Sequence, residues 1–544
     1  MRVEIHRADR LGFILAPRCI LPLSAVLALA SPILSLAGVV TVCTESNLTV
    51  ALNNGGLVTF ACDGTISLGR TFVISRDTIL DASGRSVTIS GNGTTGIFTV
   101  NASRRLTLVN LTFSDALATV GGAIRNDAGV VTATNCFFLG NVAAGSTIAS
   151  GGAIYSNGGS LNLVRCIFSG NRTRIIDTGF AGANGGNGPG GPGGGGWFAS
   201  GGAIWNSGLV VIQDCYLFGN TCTGGGGGAG GTGGAPDVSG YVGGSGGMGG
   251  NGSGGAVYHV AGLMRVTGCT FASNSAAGGI GGAGGTAGSS IFGAPGGAGG
   301  TGGTGTGAGI HAESGTVLAT NNTWHSNLAN GGSGGSGGSG SQCIVGGPGG
   351  LGGDCFGGAI FAGSATAFLV NNTLAQNAAS AGAGGAGGRG IICGITAPPQ
   401  GPYGSPGTGR GGGVASIGAP TTLAATIFAF NLPGGNCLGS FIDGGFNISS
   451  DSTFLFTNEG GWNNLDPKLI SLADNGGLTS TMALQPDSPA IDHCISGSWP
   501  GTDQRGVIRT NGLACDAGAY ELVQPPGAPP CDAASLRASV AAGG

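Results

Sequence analysis

Any chemistry performed by this chain must draw on a sparse set of acids and bases. Between Asp81 and Asn431 the acids are Asp115, Asp127, Asp177, Asp214, Asp237, Glu313 and Asp354. Hydrolysis of a glycosidic bond uses two carboxylates about 5–10 Å apart. Calcium-assisted elimination uses a carboxylate cluster and a base. These seven acids are isolated, and no two share a position in consecutive repeats. The only lysine, Lys468, lies outside the repeats, which leaves arginine, a poor proton acceptor. His259 and His311 follow two recurring glycine boxes by 5 and 4 residues, so they are not expected to stack as a pair and read as structural. No catalytic residue and no metal ligand are assigned. The one charge-dense region holds Asp492, His493, Asp503, Arg505, Arg509, Asp516 and Glu521. It reads either as a Ca²⁺ or ligand site or as a hydrogen-bonded network holding a polar cap over the last coil. The cap is the favoured reading, because Asp503 and Arg505 at spacing two suit a self-bonded turn. No cofactor is expected, Ca²⁺ being the one candidate.

The elements that would carry such residues repeat. A Gly-Gly-Ala-Ile type box begins at Gly121, Gly151, Gly201, Gly254, Gly307, Gly357 and Gly411. An asparagine follows each one, at Asn141, Asn171, Asn220, Asn274, Asn327, Asn377 and Asn431, at distances of 20, 20, 19, 20, 20, 20 and 20 residues. Within each module polar and apolar residues alternate, as in Ser160-Leu161-Asn162-Leu163, which marks a strand. Parity then shifts before Cys166, so the strand must turn a corner. Short strands separated by corners and repeated every twenty-odd residues predict an all-β fold, a single-stranded parallel β-helix of about ten coils. At about 4.8 Å per coil its length is about 50 Å. Stacking would set the seven asparagines in a ladder, each at a turn that tolerates left-handed backbone angles. Cys136, Cys166, Cys215 and Cys269 share a column, where they read as small buried apolar residues.

Glycine supplies 122 of 544 residues but never in a strict three-residue register over the whole chain, which excludes collagen. It concentrates in five inserts, 172–200, 221–253, 275–306, 328–356 and 378–410, that leave from one corner. As Gly/Ser tracts they could be flexible. Held in register by the coils beneath, they are instead expected to order as polyproline-II-like arms. Cys343 with Cys393, near the tips of adjacent inserts, or Cys343 with Cys355 within one, would staple them. At the N-terminus Cys43 and Cys62 bracket a short capping helix, and Cys494 and Cys515 would staple the C-terminal cap.

The boxes, with turns such as Phe168-Ser169-Gly170-Asn171, resemble the repeats of polymorphic outer membrane proteins. The C-terminal motifs Asp466-Pro467-Lys468-Leu469, Asp474-Asn475-Gly476-Gly477, Ser488-Pro489-Ala490-Ile491-Asp492, Asp503-Gln504-Arg505-Gly506 and Cys515-Asp516-Ala517-Gly518 resemble the choice-of-anchor Q module. These resemblances imply a bacterial surface or secreted protein with a right-handed, pectin-lyase-like fold. After Glu521 the chain carries Pro525, Pro526, Pro529 and Pro530, without alternating barrel strands or an apolar tail.

Export is expected on the chain's own features. Arg2, Arg7, Arg10 and Arg18 precede an apolar run, Ile20 to Leu36, and Ser35 and Ala37 form a cleavage site. The expected organisation is a signal peptide 1–37, an N-terminal cap 38–62, a β-helix 63–431, C-terminal coils and cap 432–521, and a Pro-rich tail 522–544. The mature chain has no membrane span. With a pI near 5.7 and one lysine, nucleic acid is excluded as a partner. The expected role is adhesin-like display or structure, with glycans or envelope polymers as partners and secretion or the cell surface as location. A polysaccharide lyase or glycoside hydrolase is the first alternative and an ice- or crystal-binding protein the second.

Overall fold

The computed structural model describes residues 36–235, 240–289, 292–391, 400–494, 500–509 and 512–523. It is nearly all-β, with one helix, Glu45–Leu52, among these residues. The strands form sheets of 18, 11, 7 and 6 members. Pairing is parallel, and it sets like residue over like. Ile124, Ile154, Ile204, Val257, Ile310, Ile360 and Val414 form one file. Phe113, Phe138, Phe168, Leu217, Phe271, Trp324, Leu374 and Phe428 form another. The 11-stranded sheet takes one short strand from each winding, so eleven coils stand where about ten were expected. In the largest sheet the long strands Ile204–Gln213 and Val414–Ala424 each pair with two shorter columns, and these pairings close a ring of eight strands. Both sides of that ring run lengthwise along the stack.

Three corners bend each of the seven windings that carry a glycine box, and each turns on one left-handed residue with φ between 45° and 71°. One is the first box glycine, such as Gly201, whose added Cβ would lie 2.3 Å from Ile204 O. The second precedes the Cys136 column, at Asn135, Arg165 and Asp214. The third precedes the ladder asparagines, at Gly140, Gly170 and Ser273. This corrects the expectation that the ladder asparagines themselves take the left-handed angle. Turning at the residue before them lets the asparagine side chain point inward. There each Oδ1 accepts both the N–H and the Nδ2 of the asparagine one coil earlier, as Asn274 does from Asn220 at 3.0 and 2.9 Å. Each Nδ2 also donates to a carbonyl of the preceding coil, such as Asn274 to Leu217 O at 3.0 Å. The file runs unbroken from Asn141 to Asn431 and ends on Asn436, which lies outside the 20-residue spacing.

The described residues of the glycine inserts form regular arms whose bonding has a three-residue period. One file of N–H to C=O bonds passes through both arms of all five, from Gly404 to Gly385, Gly350, Gly335, Gly300, Gly282, Gly247, Gly228, Gly194 and Phe180, at 2.7–2.9 Å. A second set joins like arms of successive inserts, such as Gly227 to Ile280 O and Gly281 to Ser333 O, both at 2.8 Å. In each Gly-Gly-x triplet the first glycine donates to the next hairpin's like arm and the second donates across. The x residue accepts at its carbonyl and faces outward: Ala229, Ile280, Ala283 and Ser333 are exposed.

At the N-terminal end Thr44 caps the helix, Leu48 and Ala51 join the core, and Cys43 and Cys62 are disulfide-bonded with Cα atoms 5.7 Å apart. The expected cut after Ala37 falls inside the strand Leu36–Val40, whose Gly38–Val40 part stays paired to Val58–Phe60. The far end corrects the sequence reading. Phe456 packs on Phe428, Phe454 on Phe456 and Phe441 on Phe454, and together they plug the last coil. The C-terminal module instead lies along the 11-stranded sheet. Its outward threonines are small and polar, so the module docks on them: Thr323 Oγ1 donates to Gln504 Oε1 (2.7 Å), and Ala519 N–H donates to Thr373 Oγ1 (3.0 Å).

Two substitutions test this architecture. Asn274→Ala removes the acceptor of the buried Asn220 N–H and one bond of its Nδ2, and should lower the unfolding free energy by about 3 kcal/mol in denaturant titration. In Gly282→Ala the added Cβ would sit 2.0 Å from Gly228 O. Amide exchange should rise across the inserts, while Ala283→Ser on the exposed x position leaves it unchanged.

Candidate functional site

Period-two alternation decides which side chains leave the coil. His259 and His311 differ by one residue in offset from their boxes, so they face opposite ways. His259 is fully buried between the stacked sheets, 3.1 Å from Asn206 Nδ2. His311 faces outward in a column with Tyr155, Trp205, Tyr258 and Phe361. Tyr155 stacks on Trp205 (4.4 Å), Tyr258 on His311 (4.6 Å) and His311 on Phe361 (4.7 Å).

Four members of this column, Trp205, Tyr258, His311 and Phe361, line an open groove of about 600 Å³ at the foot of the returning glycine arms. Phe198, Ser200, Asn251, Ser253 and Thr306 line it as well. Because the rings stack on each other, their edges rather than their faces line the groove. Phe198, 65% exposed, keeps a free ring. Glu313 is the only charged side chain lining the groove among the described residues.

A hydrogen-bonded chain crosses the floor. Ser253 Oγ lies 2.8 Å from Thr306 Oγ1, Thr306 Oγ1 lies 2.8 Å from His311 Nδ1, and His311 Nε2 lies 3.0 Å from Glu313 Oε2. Burial lowers the His311 pKa, so the ring is neutral. The bond from His311 holds the Glu313 carboxyl below its ordinary range, so it is ionised. The tautomer follows from these partners: Nε2–H donates to Glu313, and Nδ1 accepts from the Thr306 hydroxyl. Tyr258 also donates to Glu313, at 3.4 Å, and burial pushes its phenol up to about 12.

The other residues singled out in the sequence lie away from the groove. Asn141, Asn171, Asn220, Asn274, Asn327, Asn377 and Asn431 are fully buried. The cysteine column is not simply apolar. Cys166 N–H donates to Cys215 Sγ at 3.3 Å and Cys215 N–H to Cys269 Sγ at 3.4 Å, and the thiols reach back to carbonyls. The file continues as Asn322, Asn372, Thr426 and Asn447, a second internal ladder that the sequence reading missed. Its signal was the shared offset of Cys269, Asn322 and Asn372 from their boxes. Cys343 is disulfide-bonded, whereas Cys355 keeps a free buried thiol. That removes the Cys343–Cys355 staple, since Cys355 points into the coil beside Ala329 and Ala379. Cys393 lies outside the described residues. Cys494 and Cys515 are likewise free thiols rather than a staple. Reciprocal main-chain bonds of 2.8 and 3.2 Å already close that turn, and the Cys515 thiol donates to Cys494 O.

The C-terminal charges do converge. Asp503 accepts from Arg505 (2.8 Å) and from Glu521 N–H. Arg509 bridges Glu521 (3.3 Å) to Asn321 in the stacked sheets (2.9 Å). Asp516 accepts from the backbone of Asp492 and Leu522, and burial followed by the Glu521 charge raises its pKa to about 7. No group of three or more potential ligands that could hold a metal ion occurs among the described residues. No helix there is long and apolar enough to cross a membrane.

No protein-family model matches the chain, and no curated protein matches it.

A carboxyl that holds its proton more tightly folded than unfolded stabilises the fold below its ordinary pKa, and that contribution is lost as pH rises through the folded value. Docking of the C-terminal module should therefore weaken between pH 3.8 and about 7. Asp516→Asn should flatten this dependence, as read by amide exchange of residues 500–509 against pH.

Proposed function

We propose that the protein is an exported, adhesin-like display protein that binds a neutral glycan or envelope polymer in the groove beneath its glycine arms. In this reading the stacked coils are a right-handed parallel β-helix of pectin-lyase-like fold, the inserts are polyproline-II-like rods, and the C-terminal module is of the choice-of-anchor Q kind. The protein is then secreted or held at a bacterial cell surface.

The observation that carries the reading is the groove itself. It is open, about 600 Å³, and lined by hydroxyls, amides and ring edges with Glu313 as its single charge. Such a wall suits a polyhydroxylated, uncharged ligand held by many weak contacts. A rigid scaffold lowers the entropy lost on binding. The three-residue bonding period of the arms, matching a three-fold glycine helix, supports their role as a stiff second wall.

A second reading, turnover of the bound polymer, draws on the chain from Thr306 to Glu313. Against cleavage of the glycosidic bond stands the single carboxylate in the groove, where hydrolysis uses a pair.

A glycan array probed with the mature protein tests the binding reading. Phe198→Ala and Trp205→Ala should each weaken binding to the retained glycans at least about tenfold, in keeping with anchor residues in a contact surface. Glycan binding that both variants leave intact would refute the groove as the site.

A further inference from the structure

We propose that the groove also hydrolyses acyl esters, with Thr306 as nucleophile, His311 as base and Glu313 as its orienting group; the proposal rests on the groove being a polymer site. Nucleophilic acyl transfer needs a hydroxyl bonded to a neutral imidazole whose far nitrogen is fixed by a carboxylate. Thr306 Oγ1 to His311 Nδ1 at 2.8 Å and His311 Nε2 to Glu313 Oε2 at 3.0 Å meet that requirement. The imidazole is clamped between Tyr258 and Phe361, with ring centroids at 4.6 and 4.7 Å, so its orientation is set by packing on both faces.

Thr306, His311 and Glu313 all line the groove. Ser253 Oγ, 2.8 Å from the nucleophilic oxygen, can donate to it or to the developing oxyanion. Asn251 uses its Oδ1 to accept Thr304 N–H at 2.9 Å. Its Nδ2 has no partner among the described residues, and Asn251 lines the same groove, so this amide is proposed as a second donor for the oxyanion. With one carboxylate, the groove has the parts for an ester and not the carboxylate pair of glycosidic hydrolysis. The substrate class is therefore a polymer bearing O-acyl groups.

In the first step Thr306 Oγ1 attacks the acyl carbonyl and its proton passes to His311 Nδ1. The carbon–alkoxy bond then breaks, and His311 returns the proton to the departing sugar oxygen. This leaves the acyl group esterified to Thr306 and a free hydroxyl on the polymer. Water, deprotonated by His311, attacks the acyl-threonine and releases a carboxylic acid with the Thr306 hydroxyl restored. No oxidant or further reactant enters.

The test is acid release from an O-acetylated polysaccharide and from 4-nitrophenyl acetate by the mature protein. Expected is turnover that Thr306→Val lowers at least about 100-fold, that Thr306→Ser retains, and that Glu313→Gln reduces while shifting the pH–rate profile. Brief quenching should yield an acetylated peptide containing Thr306. Matching melting temperatures for Thr306→Val and the parent separate lost chemistry from lost folding. Release at the uncatalysed rate by the parent, or full activity in Thr306→Val, would overturn the proposal. Retention of the polymer by a parent that releases no acid would overturn the esterase alone and leave the binding site standing. Loss of both would remove the groove reading itself.

Discussion

Vertical register is the constraint on which the rest of the molecule depends. A coil whose path from box to asparagine differed by one residue would turn its side chains to the opposite face. Six of the seven modules keep that path at 20 residues and one at 19. The shorter module, Gly201 to Asn220, absorbs its missing residue where the pairing shifts between Asn157 and Ser160, opposite Ser207 and Leu209. The hydrogen bonds at both ends of the module therefore stay aligned. Because the interior carries two polar files as well as apolar ones, a slip would bury amides without partners. That penalty is larger than the loss of apolar contact alone, so the asparagine files act as register pins.

The same constraint governs the glycine arms by a different route. A hairpin leaving each coil at one corner meets the next hairpin at the coil spacing, too close for a side chain between backbones. Cβ atoms at the inward positions would fall about 2 Å from a neighbouring carbonyl, as at Gly228, Gly282 and Gly335. The exceptions lie where no neighbour exists. Phe180 occupies the position equivalent to Gly228 in the first insert, and Tyr403 the position equivalent to Gly349 in the last. They are 80% and 68% exposed. The aromatic residues mark the two sides of the bundle, and Pro406 removes a donor at the position equivalent to Gly352. An open row of donors and acceptors invites further pairing, so bulk and proline at these edges limit the stack to five hairpins.

How much of this was readable follows from the range of each interaction. The coils, the asparagine file, the N-terminal helix and the Cys43–Cys62 pair were readable because each rests on spacing within one module or between equivalent positions. The second polar file was hidden by chemistry: Cys, Asn and Thr do the same bonding there, so residue type changes while the role does not. The lateral docking of the C-terminal module was hidden because it depends on outward threonines more than 100 residues away in sequence, at Thr270, Thr323 and Thr373. The groove was hidden for a related reason. Ser253 and Thr306 sit just before their boxes and His311 just after one, in positions that the repeat leaves free to vary.

That freedom is why the proposed function is placed there. At the interior positions Asn and Phe are dictated by stacking, and at the inward arm positions glycine is dictated by close approach. Positions flanking the box face neither demand, so their identities carry information beyond the fold. At Thr306, His311 and Glu313 the residue differs from the one a coil earlier, Ser253, Tyr258 and Val260. Thr306 stands between Ser253 and Phe356, His311 lies in a column with Tyr155, Trp205, Tyr258 and Phe361, and Glu313 stands where the preceding coil has Val260. Three departures from the repeat that form one hydrogen-bonded line are not required by stacking. A scaffold this rigid holds such a line in place without further support, and the groove lies where the side chains were released from the fold's own needs.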